Sequence, residues 1–192
     1  MNSKGRCKHC KATIPRKEGV TINMSLFCSY EHATAYGRAK AIAKQAKERK
    51  KDLLVKKKSL LKKSDYIKKA QAAVNAYIRA RDYGKPCVSC GSMPDQKRGG
   101  TIDAGHYRSR GSAGHLRFNT FNIAAQCVKC NRYGAGNAVD FRLELINRLG
   151  LEIVERIEAD QQRRDFTTEY LERIAKIFNK RARQVKKRKG LD

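Results

Sequence analysis

Between residues 64 and 83, apolar side chains return every three to four positions, at Ile67, Ala70, Val74, Tyr77 and Ile78. That spacing paints one stripe and predicts an amphipathic helix. Ser64 and Asp65 suit its N-terminal cap, and Gly84 and Pro86 stop it. The stretch before it differs. Residues 33–62 are rich in Ala, Lys and Arg, contain no Pro, and stay poor in large apolar residues until Leu53, Leu54, Leu60 and Leu61. These are strong helix formers, so a long solvated helix is expected. Helical spacing resumes after Asn137 with Val139, Phe141, Leu145, Ile146 and Leu149, and Gly150 fits the C′ position. Ile153, Val154 and Ile157 predict a further short helix. Thr167 or Thr168 caps a last one, with Leu171, Ile174, Ala175 and Phe178 on its core face. From Lys180 the chain reads KRARQVKKRKG, a basic tail.

The segment 85–136 breaks this helical pattern. It is rich in glycine, holds two of the three prolines, and leaves room only for short strands, near 101–103 and 115–118. The first 36 residues are compact, with turn residues and three cysteines.

Charge narrows the function classes. Lys and Arg number 44 against 18 Asp and Glu, a formal net charge of +26 spread over nearly the whole chain. Such an excess favours a polyanionic partner and makes binding steeply salt-dependent. The N-terminus MNSKGRCKHC has no apolar signal-peptide core, and no apolar run approaches the roughly 18 residues of a membrane span. The seven cysteines sit at metal-ligand spacings, which points to reduced thiols in a cytosolic compartment.

Cys87, Cys90, Cys127 and Cys130 form two Cys-x-x-Cys pairs, able to close a tetrahedral zinc site that staples a segment poor in apolar residues. The 36 residues between the pairs exceed the usual zinc-ribbon spacing, so something is inserted there. Hydrolysis of a phosphodiester needs a proton acceptor for water and charge stabilisation at the phosphate. His106 can supply the first near neutral pH. Asp103 and Asn131 offer the hard oxygens that suit Mg²⁺ or Mn²⁺. Arg108 and Arg110, with Arg132, are either phosphate contacts or solvated charges. Asn131 is either a metal ligand or a helix cap, and Asp103 is equally open.

The layout CVSCG…IDAGH…FNIAAQCVKCN resembles the His-Asn-His/Asn (HNH, ββα-metal) endonucleases, in particular their zinc-stapled members. The resemblance implies His106 as general base, Asn122 as the Asn that braces the loop, and Asn131 as a metal-binding Asn opening the helix. It also marks a departure. The family usually has Asp directly before the base His, where this chain has Gly105, with Asp103 three residues ahead of His106. Over essentially its full length the chain resembles the NinG (Rap) recombination proteins of lambdoid phages, through AGHYRSRG, HLRFNTFN, QCVKCNRYGAGN and the N-terminal Cys cluster. That resemblance implies an endonuclease acting on Holliday junctions and displacement loops in the host cytoplasm, with phage or host recombination proteins as possible partners.

In the N-terminal segment Cys7, Cys10, Cys28 and His32 have the spacing of a second structural zinc site, similar to a treble-clef finger. Lys56, Lys57 and Lys58, near the end of the basic helix, are expected on a nucleic-acid backbone. The expected fold class is α+β, mostly helical. A treble-clef-like zinc finger (1–36) precedes a basic helical segment (37–84). A zinc-stapled ββα-metal core (85–140) and a helical C-terminal region with its basic tail (141–192) follow. Cutting paired strands needs two active sites, so a homodimer is expected, with 64–83 or 139–178 as its interface. The readings from other classes are a non-catalytic zinc-dependent protein binding branched DNA, and an RNA-binding factor.

Overall fold

The computed structural model describes residues 3–93 and 101–191 and divides into two compact units, 1–61 and 62–192. The first unit opens with two antiparallel hairpins. Strands β1 (Lys4–Arg6) and β2 (Thr13–Pro15) form one, and β3 (Val20–Ile22) and β4 (Ser25–Phe27) form the other. Helix α1 (Tyr30–Ser59) follows, capped by the Ser29 hydroxyl, which accepts from the His32 amide at 3.2 Å. It spans 30 residues, about 45 Å, and buries none of them, as its Lys-rich composition requires.

The second unit holds α2 (Lys63–Arg81), β5 (Ile102–His106), β6 (Ile123–Cys127), α3 (Ala138–Leu149), α4 (Leu151–Ala159) and α5 (Thr168–Lys189). Helix α2 starts one residue before Ser64, so Ser64 and Asp65 lie inside its first turn. Asp65 serves the helix end all the same, because its carboxylate accepts from the Lys62 amide at 3.0 Å. Thr167 caps α5 through its hydroxyl, which accepts from the Tyr170 amide. Gly150, at φ +86°, makes the turn from α3 into α4 in a conformation that side chains disfavour.

Three expectations are corrected. The second strand is not at 115–118, where a single 3₁₀ turn (Gly114–Leu116) stands, but at Ile123–Cys127. Residues 122–126 are all buried, so the polar alternation that marks a half-exposed strand is missing there. Val139 does not join the apolar face of α3; it is 74% exposed, while Phe141 and Leu145 are buried. The basic tail is not a tail. It continues α5 to Lys189, and Ala182 and Val185 are buried along it.

α5 lies along α2 in the same direction. Lys63 pairs with Asp165 at one end, Tyr77 packs on Phe178 midway, and the Lys189 ammonium donates to the Arg81 and Tyr83 carbonyls at the other. α3 and α4 form the opposite layer. Their Phe141, Leu145 and Val154 close over Val88 and Ala124. Ile157 closes over Ala113 and Leu116. The β5–β6 hairpin belongs to this core, in the register Asp103↔Gln126, Gly105↔Ala124 and His106↔Ile123.

Candidate active site and metal centres

The four cysteines of the central staple converge. Cys87 and Cys90 lie in the turn before β5, Cys127 ends β6, and Cys130 lies in a wide π-helical turn (Lys129–Tyr133). Their sulfurs all lie within 4.8 Å of one another, and the Cys90–Cys127 separation is 3.8 Å. A tetrahedron with Zn–S bonds of about 2.3 Å has edges of about 3.8 Å, so this donor set fits Zn²⁺. Hydrogen bonds from Ser92 push the Cys90 thiol down to about 6, while burial pushes Cys130 up to about 12. Four crowded thiols resist ionising together without a cation, which a bound Zn²⁺ would provide.

In the first unit Cys7, Cys10, Cys28 and His32 also gather within 4.8 Å. Cys10 and Cys28 stand 3.7 Å apart, and Cys28 Sγ lies 2.7 Å from His32 Nδ1. This Cys₃His set could likewise hold zinc. Lys56, Lys57 and Lys58 are exposed in the last turn of α1.

His106 ends β5, and its ring Nε2 lies 3.1 Å from the Arg117 carbonyl. A carbonyl only accepts, so Nε2 carries the hydrogen and Nδ1 is the bare, basic nitrogen. Burial, the largest influence, lowers the imidazole to about 4. The Arg117 carbonyl opposes that shift, and the charges of Arg110 and Arg117 reinforce it. The ring is therefore neutral at pH 7.

The loop leaving His106 is held by Asn122, which is fully buried. Its Oδ1 accepts from the Arg108 amide at 2.9 Å and its Nδ2 donates to the Arg108 carbonyl at 3.0 Å. The Arg108 side chain is not a free phosphate ligand. Its guanidinium donates to the Ile157, Glu158 and Asp160 carbonyls, satisfying the C-terminal end of α4. His115 reaches the same Asp160 carbonyl at 2.8 Å. Tyr107 hydrogen-bonds Glu158, which Arg142 grips with two nitrogens.

Asp103 and Asn131 meet directly, the Asn131 amide donating to the carboxylate at 2.8 Å. Arg132 adds two further bonds, at 2.7 and 2.9 Å. The Arg132 guanidinium, with help from Asn131, outweighs partial burial and lowers the Asp103 carboxyl. Asn131 sits inside the π-helical turn; the next regular helix begins only at Ala138. Asn131 therefore does not open that helix.

These groups share a cleft of about 610 Å³, bordered by Asp103, His106, Arg110, Asn131 and Arg132. Two further residues on its wall, Asn75 and Arg79, come from α2, which the sequence marks as a packing helix or dimer interface and not as part of the site. Their signal is positional: they lie on the α2 face turned from Val74 and Ile78, legible only once α2 is known to flank the hairpin. Among the described residues, Arg79 and Arg110 have no hydrogen-bond or ion-pair partner, unlike Arg81, Arg108, Arg132 and Arg142.

The comparison with known proteins adds the decisive observation: the sequence profile described as "Bacteriophage Lambda NinG protein" matches residues 1–189. The chain belongs to the NinG family. It is 34% identical to "Protein ninG" of Escherichia phage 933W over 199 aligned positions, covering 94% of this chain and 93% of that one. Identity to "Protein ninG" of Escherichia phage lambda is 43% over 119 positions, 62% of this chain and 56% of the relative. The Salmonella phage P22 protein of the same name gives 42% over 119 positions, 62% of this chain and 57% of the relative. No solved structure matches. No helix among the described residues of this NinG-family chain is long and apolar enough to cross a membrane.

Proposed function

We propose that this NinG-family chain is a structure-specific endonuclease of the HNH type. It would hydrolyse phosphodiesters in branched recombination intermediates such as Holliday junctions and displacement loops, in the cytoplasm of the bacterial host. The observation that carries the reading is the cleft itself. A neutral imidazole with its basic nitrogen bare borders the same space as an adjoining carboxylate and amide and the guanidiniums of Arg79 and Arg110, which have no hydrogen-bond or ion-pair partner among the described residues.

His106 is the proton acceptor for the attacking water. The Arg117 carbonyl fixes its tautomer and Asn122 fixes the loop beside it. A phosphodiester drawn between Arg79 and Arg110 brings negative charge beside the imidazole. That charge offsets Arg110 and Arg117, whose charges now depress its basicity. Asp103 and Asn131 present a carboxylate and an amide side by side, a donor set that fits Mg²⁺ or Mn²⁺. Such an ion would stabilise charge at the phosphate and the leaving oxygen. The two cysteine clusters would each hold a structural Zn²⁺.

A branched substrate offers two strands to cut, so a homodimer is part of this reading. The apolar face of α2 is already used against α5 and the hairpin. In the 139–178 segment, exposed Val139, Leu143 and Leu151 are available for such an interface. The second reading, nucleic-acid binding without catalysis, draws on one observation: Arg132 already occupies the Asp103 carboxylate.

The test is incubation of purified protein with end-labelled four-way junction DNA, with Mg²⁺ or Mn²⁺ and without, beside His106→Ala. Metal-dependent nicking by wild type and its loss in the variant is the expected result. Binding with no nicking under either metal would establish the non-catalytic reading instead.

A further inference from the structure

We infer that the solvent face of α5 is a second nucleic-acid surface, a rigid rail that takes the phosphate backbone of a duplex arm outside the cleft. The inference rests on the nucleic-acid partner of the proposed function but not on its chemistry. From 173 to 189 the chain carries nine Lys and Arg and no carboxylate. Arg173, Lys176, Lys180, Arg183 and Lys187 fall at spacings of 3, 4, 3 and 4, and all are exposed. On an α-helix that spacing puts them on one face, about 5 Å apart along a line of about 21 Å.

The opposite face explains why the rail is rigid. Leu171, Phe178, Ala182 and Val185 are buried, and Lys189 ties the end of α5 to the Arg81 carbonyl that ends α2 and to the Tyr83 carbonyl just after it. Nine like charges in sequence repel and, left alone, would disorder the segment; packing on α2 holds them in register. α2 also carries Arg79, two residues from the Arg81 carbonyl that Lys189 holds, so the rail ends next to a helix that borders the cleft.

The chemistry of the face selects the partner. No large apolar side chain is exposed between 171 and 189, so the helix has nothing to insert into a lipid surface. It equally offers no aromatic platform on which unpaired bases would stack. What remains is a straight row of cations, which neutralises a regular, stiff polyanion without reading its sequence.

The experiment measures binding of the full chain to a 30-base-pair duplex and to a single strand of the same length, with no added divalent metal. Wild type is compared with the on-rail variant Lys180→Gln/Arg183→Gln/Lys187→Gln and the off-rail variant Arg181→Gln/Lys186→Gln/Arg188→Gln. The two carry the same net charge. The on-rail variant should bind duplex at least about tenfold more weakly near 0.1 M salt, and its log–log salt slope should fall by about 2 to 3. The off-rail variant should lose much less. Equal losses in both variants, a larger loss for the single strand than for duplex, or unchanged duplex binding would each overturn the rail. Thermal melts of both variants verify that α5 stays docked, and a melt lowered only on-rail assigns the face a structural role and overturns it too. Because no cleavage is read, an inactive enzyme leaves this result intact, while loss of nicking with an intact rail sinks only the nuclease reading.

Discussion

The space that a side chain at position 105 would occupy is filled by the amide of Gln126: a Cβ built on Gly105 falls 2.1 Å from Gln126 Oε1. Gln126 is fully buried and its Nε2 donates to the Ser89 hydroxyl at 2.7 Å and the Gly136 carbonyl at 2.6 Å. It thereby ties the hairpin to the Cys87–Cys90 knuckle and to the loop before α3. The glycine that departs from the HNH pattern is thus matched to a neighbour across the ladder. The carboxylate of Asp103 stands two residues back along the strand, where Asn131 meets it.

Gly105→Asp should therefore not restore a family-like site but destabilise the fold. Overpacking of this kind costs about 1–3 kcal/mol, and the loss of the buried Gln126 bonds adds to it. Pairing Gly105→Asp with Gln126→Ser should recover part of the loss. Urea denaturation of the two single variants and the double reads this coupling. Additive losses would show that the two positions do not share the space.

His106 gives a pH prediction with a definite sign. Its folded value, about 4, lies below the ordinary value of 6.5, because burial and neighbouring arginines disfavour the charged ring. Its contribution to stability is fully present above about 6.5 and is lost as pH falls toward 4. For the proposed reaction, the acid limb of kcat/KM, which reports the free enzyme, should lie well below pH 6. Substituting Arg110→Gln removes one depressing charge and should move that limb upward. A limb that stays in place in the variant would mean that Arg110 does not act on the imidazole.

How much of this was legible in the sequence divides along physical lines. The cysteine spacings located both clusters that could hold a metal ion, because ligand geometry is local and residue-specific. The helices were legible wherever one face is apolar and the other polar, as in α2 and α5. β6 was missed because burial of Asn122 through Gln126 removes the alternation on which strand reading depends. Arg79 and Asn75 were invisible as site residues, since only tertiary packing brings α2 to the cleft. Arg108 misled in the other direction. A basic residue two positions from His106 reads as a phosphate ligand until the C-terminal carbonyls of α4 are seen to claim it.

On the proposed function, Arg132, which pairs with the Asp103 carboxylate, would compete with a divalent ion for it. Arg132→Gln should lower the Mg²⁺ concentration needed for half-maximal nicking, while leaving His106 and its pH limb in place. Asp103→Asn should raise that concentration or abolish activity. A metal titration of nicking at fixed junction concentration distinguishes these outcomes. Unchanged metal dependence in both variants would remove Asp103 from the metal site.

Zinc removal should separate the two units. Cys90→Ser deletes one of four central ligands and leaves Cys7, Cys10, Cys28 and His32 intact. The purified variant should hold about one zinc where wild type holds about two, because structural sites close with four ligands. The melting of unit 62–192 should fall sharply, since metal binding is folding energy for such a knuckle. Metal analysis showing an unchanged zinc content would refute the central site.

The strongest stability prediction concerns Asp82, a residue with no place in the proposed chemistry. It is 1% exposed, closes α2, receives two bonds from Arg81 at 2.7 and 2.8 Å, and accepts from the Ala125 amide of β6 at 3.1 Å. Arg81 also donates to the Thr120 and Ile123 carbonyls, so the pair fixes the start of β6 and with it Asn122. Burial alone would raise the Asp82 carboxyl, but the Arg81 guanidinium, the Ala125 amide and Lys85 together outweigh it and hold the carboxyl below its ordinary value. Its contribution is therefore present above the ordinary carboxylate range near pH 4 and is lost as pH falls below it. Asp82→Ala leaves the Arg81 charge without its partner and should cost about 3–5 kcal/mol. Paired replacement, Arg81→Met with Asp82→Leu, should cost much less, since no charge is stranded. Denaturation at pH 7 compares the two; an equal loss in both would show that β6 depends on the arginine's carbonyl bonds rather than on the ion pair.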